Sequence, residues 1–186
     1  MIKEKTKRPG DPGFSLVEVL IGLMLFAALS ALAVPILSSS IRNMQLFADA
    51  QNISTTMSSA RLSAKSSMTP HRMSFDLDNN QWRLEKFNAN TGVFELQQDV
   101  NQLSSGVTGS GITFLRKSLS HPGIFPSQSS QTITFNTRGI PVDGSNVPTS
   151  NNIIYLSNRG TDFAITITLT GKVRVWKKKD GQWEAQ

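Results

Sequence analysis

Cysteine is absent from this 186-residue chain, and histidine occurs only twice. Without a thiol there is no disulfide, no cysteine-ligated zinc, no thiol nucleophile and no lipobox lipidation, so any folded domain here must hold together by packing alone. His71 and His121 fall at a predicted strand start and in a proline-flanked loop. No His-x-Glu or Glu-x-x-His spacing surrounds them, and they are expected to be ordinary surface residues rather than ligands or bases. Charged residues make up only 17% of the chain. Asp76 and Asp78 flank a turn, and the turn chemistry of Asp78-Asn79-Asn80 explains them better than paired acid–base work. Gly106, Gly109 and Gly111 make no phosphate loop, because no Lys-Ser/Thr follows and the segment opens no helix. No catalytic constellation, metal site or cofactor is expected, and the chain reads as a non-enzyme.

What the chain does have is one apolar stretch of roughly two dozen residues from Phe14 to Leu37, opening within Pro12-Gly13-Phe14-Ser15-Leu16-Val17-Glu18. Only Ser15, Glu18, Gly22, Ser30 and Pro35 interrupt it. At ~1.5 Å per residue the run is long enough for a bilayer core of ~30 Å. A carboxylate near the start of such a segment costs roughly 2.5 kcal/mol or more on insertion scales, so Glu18 is a functional candidate by default. A secretory signal would carry its small-residue cleavage site after the apolar core, whereas Gly13 lies before it. A plain anchor accounts for the length but not for Glu18 or the Gly13-Phe14 junction.

The basic leader, the Gly13-Phe14 junction and Glu18 together resemble the class III signal of type IV prepilins and type II secretion pseudopilins. The resemblance implies that an inner-membrane prepilin peptidase cuts between Gly13 and Phe14 and methylates the new Phe14 amine. It implies too that Pro35 kinks the anchor helix, as in many pilins. Residues 1–13 would be the removed leader, 14–37 the transmembrane segment, 38–69 its amphipathic continuation and 70–186 a β-rich periplasmic domain. The leader carries Lys3, Lys5, Lys7 and Arg8 against Glu4 and Asp11, so its loss takes a net +2 from the formal +6. Positive charge stays on the cytoplasmic side, which orients the body from Ser38 onward across the inner membrane. In a filament of packed helices, the Glu18 carboxylate would pair with a Phe14 amine and set axial register. The competing account is that Glu18 snorkels to the headgroups near the helix start.

Beyond Ser38 the pattern stays helical. Ile41, Met44, Phe47, Ala50, Ile53, Met57, Ala60, Ala64 and Met68 recur at steps of three or four, which predicts one amphipathic face. A single helix is expected from about Phe14 to Ser67, ended by Thr69-Pro70. From there the period changes to two. His71–Leu77 and Gln81–Phe87 read as a hairpin, and Val93–Leu96 as a third strand. Residues 97–111 read as a variable loop, Ile112–Arg116 as a short strand and His121–Ser130 as another loop. The last third predicts four strands, Thr132–Asn136, Asn152–Ser157, Phe163–Leu169 and Lys172–Lys177. Phe163, Ile165, Ile167 and Leu169 should face one way, and Val173 and Val175 opposite to Lys172, Arg174 and Trp176.

This region carries a second resemblance. Ile133-Thr134-Phe135-Asn136-Thr137-Arg138-Gly139-Ile140-Pro141 is similar to the strand and Gly-x-Pro turn of H-type pseudopilins and their FimT-like minor pilin relatives. Ile154–Asn158, the Gly171–Trp176 hairpin and the helix segment around Ala60-Arg61 are similar as well. The implied fold is α+β, a long N-terminal helix packed on a two-sheet antiparallel β domain. The implied function is that of a minor pseudopilin of a type II secretion apparatus. Its partners would be other pilin-like subunits, prepilin peptidase, the inner membrane and secreted proteins. The alternative is a FimT-like minor pilin binding DNA through Lys172, Arg174, Lys177, Lys178 and Lys179, with Trp176 and Trp183 nearby. Such a run also reads as a solvated strand edge guarded by lysine.

Overall fold

The computed structural model describes residues 15–104, 111–118, 122–123, 125–158 and 160–186, with backbone only for 32–36. Leu16–Ser66 form one 51-residue helix, α1. Its sequence is rich in Leu and Ala, and Gly22 and Pro35 are its only strong helix breakers. The bend expected at Pro35 falls on residues 32–36, whose side chains lie outside those described. At the other end, the Ser67 amide and hydroxyl both donate to Ser63 O, at 2.9 and 2.6 Å. Met68 then adopts a left-handed φ of 51°, and Pro70 follows. A left-handed residue closing the last turn with proline just beyond is an ordinary helix stop.

The chain divides into two compact units, Met1–Ser39 and Ser40–Gln186. In the first, Leu16, Val17, Leu20, Ile21, Met24, Leu25 and Phe26 are all exposed, so apolar side chains surround the helix rather than forming a stripe. Among the described residues no helix is long and apolar enough to cross a membrane.

In the second unit the helix is amphipathic. Leu46, Ala50, Ile53, Met57, Ala60 and Ala64 are wholly buried, at alternating steps of four and three. This corrects the expected face at both ends. Ile41, Met44, Phe47 and Met68 keep 41%, 73%, 40% and 75% of their surface, and Leu46 replaces them. The reason is geometric. At ~100° per residue, consecutive steps of three from Ile41 to Ala50 turn the stripe by about half a circle, so those residues cannot share one face.

Two antiparallel sheets cover the buried face. In chain order the strands are β1 (His71–Asp76), β2 (Gln81–Asn88), β3 (Val93–Leu96), β4 (Asn101–Gln102), β5 (Thr113–Leu115) and β6 (Thr132–Phe135). They continue as β7 (Pro141–Val142), β8 (Ile153–Asn158), β9 (Thr161–Ile167), β10 (Val173–Lys179) and β11 (Gln182–Ala185). The first sheet runs β3-β2-β1-β6-β7 with β4 also on β2, and the second runs β11-β10-β9-β8-β5. The β1–β2 hairpin pairs Met73 with Leu84 and Phe75 with Trp82. Its turn is held by Asp76, whose carboxylate accepts from the Asp78 and Asn79 amides and the Asn79 side chain. The bonds from Asn79 hold its pKa below the usual carboxylate value.

Alternate strand residues meet the helix in one core. Met73, Phe75, Trp82, Leu84, Ile133 and Phe135 come from the first sheet, and Ile154, Leu156, Phe163, Ile165, Ile167 and Val175 from the second. Each such apolar side chain contributes ~1.5–3 kcal/mol on burial. The outer face of the second sheet has its own cluster, where Ile153, Tyr155 and Ala164 lie under Leu115, Phe125, Trp176 and Trp183. Tyr155 donates its hydroxyl to Pro126 O at 2.9 Å, and burial pushes its pKa up.

Several further expectations need correction. The segment read as a variable loop contains β4 and the buried Leu103. There Ser104 donates through amide and hydroxyl to the helix carboxylate of Asp49, both at 2.9 Å. Burial raises the Asp49 pKa and the Ser104 bonds oppose that rise. Leu169 is 51% exposed, because β9 ends at Ile167 and the next residues turn. His71 is buried rather than superficial, with Nδ1 2.8 Å from Thr69 O. His121 lies outside the described residues.

Candidate functional site

Gly13 and Phe14 lie outside the described residues, so the geometry of the junction begins at Ser15. Val19 N donates to Ser15 O at 3.2 Å, which makes Ser15 the residue from which α1 starts. Glu18 therefore sits in the first helical turn, exposed. The unpaired amides of a helix N-terminus carry a partial positive charge, and a carboxylate there is worth typically ~0.3–1 kcal/mol. Downstream, Ser30 satisfies its hydroxyl within the helix by donating to Phe26 O at 2.8 Å. Such back-bonding lets a hydroxyl sit in an apolar segment without an outside partner.

The basic hairpin is divided by the strand it lies on. Within β10, Val175 belongs to the helix-facing core and Trp176 to the outer cluster. Alternation then places Arg174 and Lys178 on the outer face with Trp176, and Lys177 and Lys179 on the face of Val175. Lys172 precedes the strand, with its amide donating to Thr168 Oγ1. The opposition of Val173 and Val175 to Arg174 and Trp176 follows the expected alternation; the five basic residues do not form one surface. Lys178 also has Asp162 at 3.9 Å, and Lys177 pairs across the ladder with Glu184. Trp176 Nε1 donates to Thr166 Oγ1 at 2.9 Å, which fixes its ring against the sheet.

Among the described residues no cluster of three or more His, Asp or Glu could hold a metal ion. Asp78 is paired with Arg116, and Asp76 serves its turn. Among the described residues the one deeply buried carboxylate, Glu85, is gripped by Arg72 and Arg83 at 2.6 and 2.7 Å. Arg72 in turn lies 4.1 Å over the Phe94 ring. This arrangement leaves Glu85 no free oxygen for proton transfer.

Sequence reasoning missed the polar joints between helix and sheets. Asn158 Nδ2 donates to Arg42 O at 3.0 Å and to Asn43 Oδ1 at 3.2 Å, and Thr161 also donates to Asn43. Arg61 Nε donates to Gly139 O at 3.2 Å. Nothing in local periodicity marks these residues as partners.

A model of the prokaryotic N-terminal methylation motif matches residues 9–34. No curated protein matches significantly. Among solved structures, the minor pseudopilin EpsH of the Vibrio cholerae type II secretion system is similar in two determinations. A crystal structure is 14% identical with a TM-score of 0.50, covering 73% of this chain and 97% of that chain. A second is 15% identical with a TM-score of 0.48, covering 70% and 95%. The likeness is one of fold: a helix followed by antiparallel sheets.

Proposed function

Because the chain is a type IV pilin-like protein in its signal and its fold, we propose that it is a minor pseudopilin. In this reading it is a structural subunit of the periplasmic pseudopilus of a type II secretion system, and not an enzyme. It enters the inner membrane through residues 14–37 with its N-terminus in the cytoplasm and residues 70–186 in the periplasm. Prepilin peptidase cuts between Gly13 and Phe14 and methylates Phe14. The helix then packs among those of other pilin-like subunits.

One observation carries the proposal: the methylation motif ends within α1, so a linear processing signal runs directly into a helix that presents apolar side chains all round. An all-round apolar helix needs an apolar environment, which lipid or neighbouring helices supply. Glu18 adds the register element, since its carboxylate and a neighbour's Phe14 amine are each costly alone in hydrocarbon and tolerable as a pair. The likeness in fold to a minor pseudopilin supports a pseudopilin-like subunit. Mass spectrometry of the membrane-fraction protein tests the reading, and an N-methylated Phe14 is the expected N-terminus. An intact Met1, or cleavage beyond Leu37, would overturn it.

A second reading rests on Arg174, Trp176 and Lys178, which share the outer face of the second sheet. It is a FimT-like minor pilin that holds DNA by cations beside an aromatic ring.

A further inference from the structure

Three stretches far apart in the sequence meet at one point. They are Arg61 on α1, the Gly139 turn between β6 and β7, and the Gly171 turn between β9 and β10. The first turn belongs to one sheet and the second to the other.

Each turn is closed by its own side chain. Gly139 N donates to Asn136 O at 2.8 Å, and the Asn136 side chain accepts from the Arg138 and Ile140 amides, both at 3.0 Å. Gly171 N donates to Thr168 O at 2.7 Å, and Thr168 Oγ1 accepts from Lys172 N at 3.0 Å. Both glycines are left-handed, with φ of 69° and 78°. Gly92, Gly123 and Gly181 are left-handed as well, and a Cβ on any of them would meet nothing within 4 Å. At Gly139 and Gly171 the surroundings are different. Both glycines are buried.

What buries them is the helix. A Cβ on Gly171 would lie 2.5 Å from Arg61 Nε, 2.9 Å from Arg61 Cδ and 2.9 Å from Gly139 O. A Cβ on Gly139 would lie 2.8 Å from Lys65 Cγ and 3.0 Å from Arg61 Cγ. The two turns therefore touch each other as well as the arginine. Arg61 cannot swing aside freely, because its Nε donates to Gly139 O. Among the described residues no carboxylate lies within ion-pair distance of it. Its guanidinium is met by the Gly139 carbonyl, while Lys65 beside it lies in the last turn of the helix, at the negative end of the dipole.

We propose that Arg61 is a peg and the Gly139 and Gly171 turns its socket, a device that fixes the ends of both sheets to the helix as one body. The shared apolar core packs helix and sheets together, and the peg adds to it a directed hydrogen bond and close backbone contact at the ends of the sheets. The glycines are required twice over, for backbone conformation and for the space the peg occupies.

A double-mutant cycle on the full chain in detergent, read as thermal midpoints, tests the peg. Gly171→Ala is expected to lower the midpoint by ~5 °C or more. In an Arg61→Ala background the same change should lower it clearly less, since the nearest atoms to the new Cβ are gone. Gly92→Ala serves as the control, with left-handed φ and open space, and its penalty should be the same in both backgrounds. Equal Gly171→Ala penalties with and without Arg61 would overturn the proposal and leave backbone strain as the whole effect. If Gly171→Ala alone fails to fold, recovery of folding in the double variant supports the peg. Should neither fold, amide exchange in Arg61→Ala decides. The Gly139 and Gly171 amides should exchange faster together with Gly181 unchanged, and an unaltered Gly171 amide would refute it.

Discussion

Single residues in this chain act by holding charge where little else can answer it. Glu18 lies in the first turn of α1, surrounded along the helix by apolar side chains. Its place in the proposed filament is testable by substitution. Glu18→Ala removes the carboxylate but leaves the Gly13-Phe14 junction intact, so the variant should be processed at the normal rate. It should be depleted from isolated filaments by roughly tenfold, a factor that corresponds to ~1.4 kcal/mol of lost subunit pairing. Normal incorporation would remove Glu18 from any register role. Glu18 was legible in the sequence because an ionisable residue in an apolar run stands out without any structure. His71 was not. It occupies a strand position that alternation alone turns inward, between Pro70 and the buried Met73, yet polarity argued for the surface.

At the scale of elements, the helix face shows how small errors of period become errors of packing. Leu46 is wholly buried and Met44 is 73% exposed, although both suit an apolar stripe. Leu46→Ala should destabilise the folded chain by ~2–5 kcal/mol, as buried leucine truncations do. Met44→Ala should fall within about 0.5 kcal/mol of the parent. Chemical denaturation of the two variants checks both, and similar losses would mean the helix is rotated from the face described. The long strands and their hairpins were legible, because period-two patterning and turn residues are local. The two-residue β4 and β7 were not, since a pair of residues has no period. Strand β11, Gln182–Ala185, contains no β-branched residue and owes its place to pairing with β10.

For the molecule as a whole, the sheets decide what the basic C-terminal run can do. Under the pseudopilin reading the full chain in detergent should not retard DNA even at low salt. Retardation abolished by Arg174→Gln with Lys178→Gln, but spared by Lys177→Gln with Lys179→Gln, would move the assignment to a DNA-binding minor pilin. A bound phosphate backbone would also make affinity fall steeply with salt. Sequence by itself determined the methylation motif, the long helix, the α+β class and most of the strands. Each of these is a property of near neighbours: a linear motif, a helical period, an alternation, a turn. Only the tertiary structure decided which face of β10 meets the helix, that Leu46 rather than Met44 is buried, and that Arg61 meets two glycine turns. The Arg61–Gly139 bond joins residues 78 apart in the chain, and no local pattern specifies which distant turn a side chain will reach. Sheet order and helix rotation settle that, and both are fixed by packing the core as a whole.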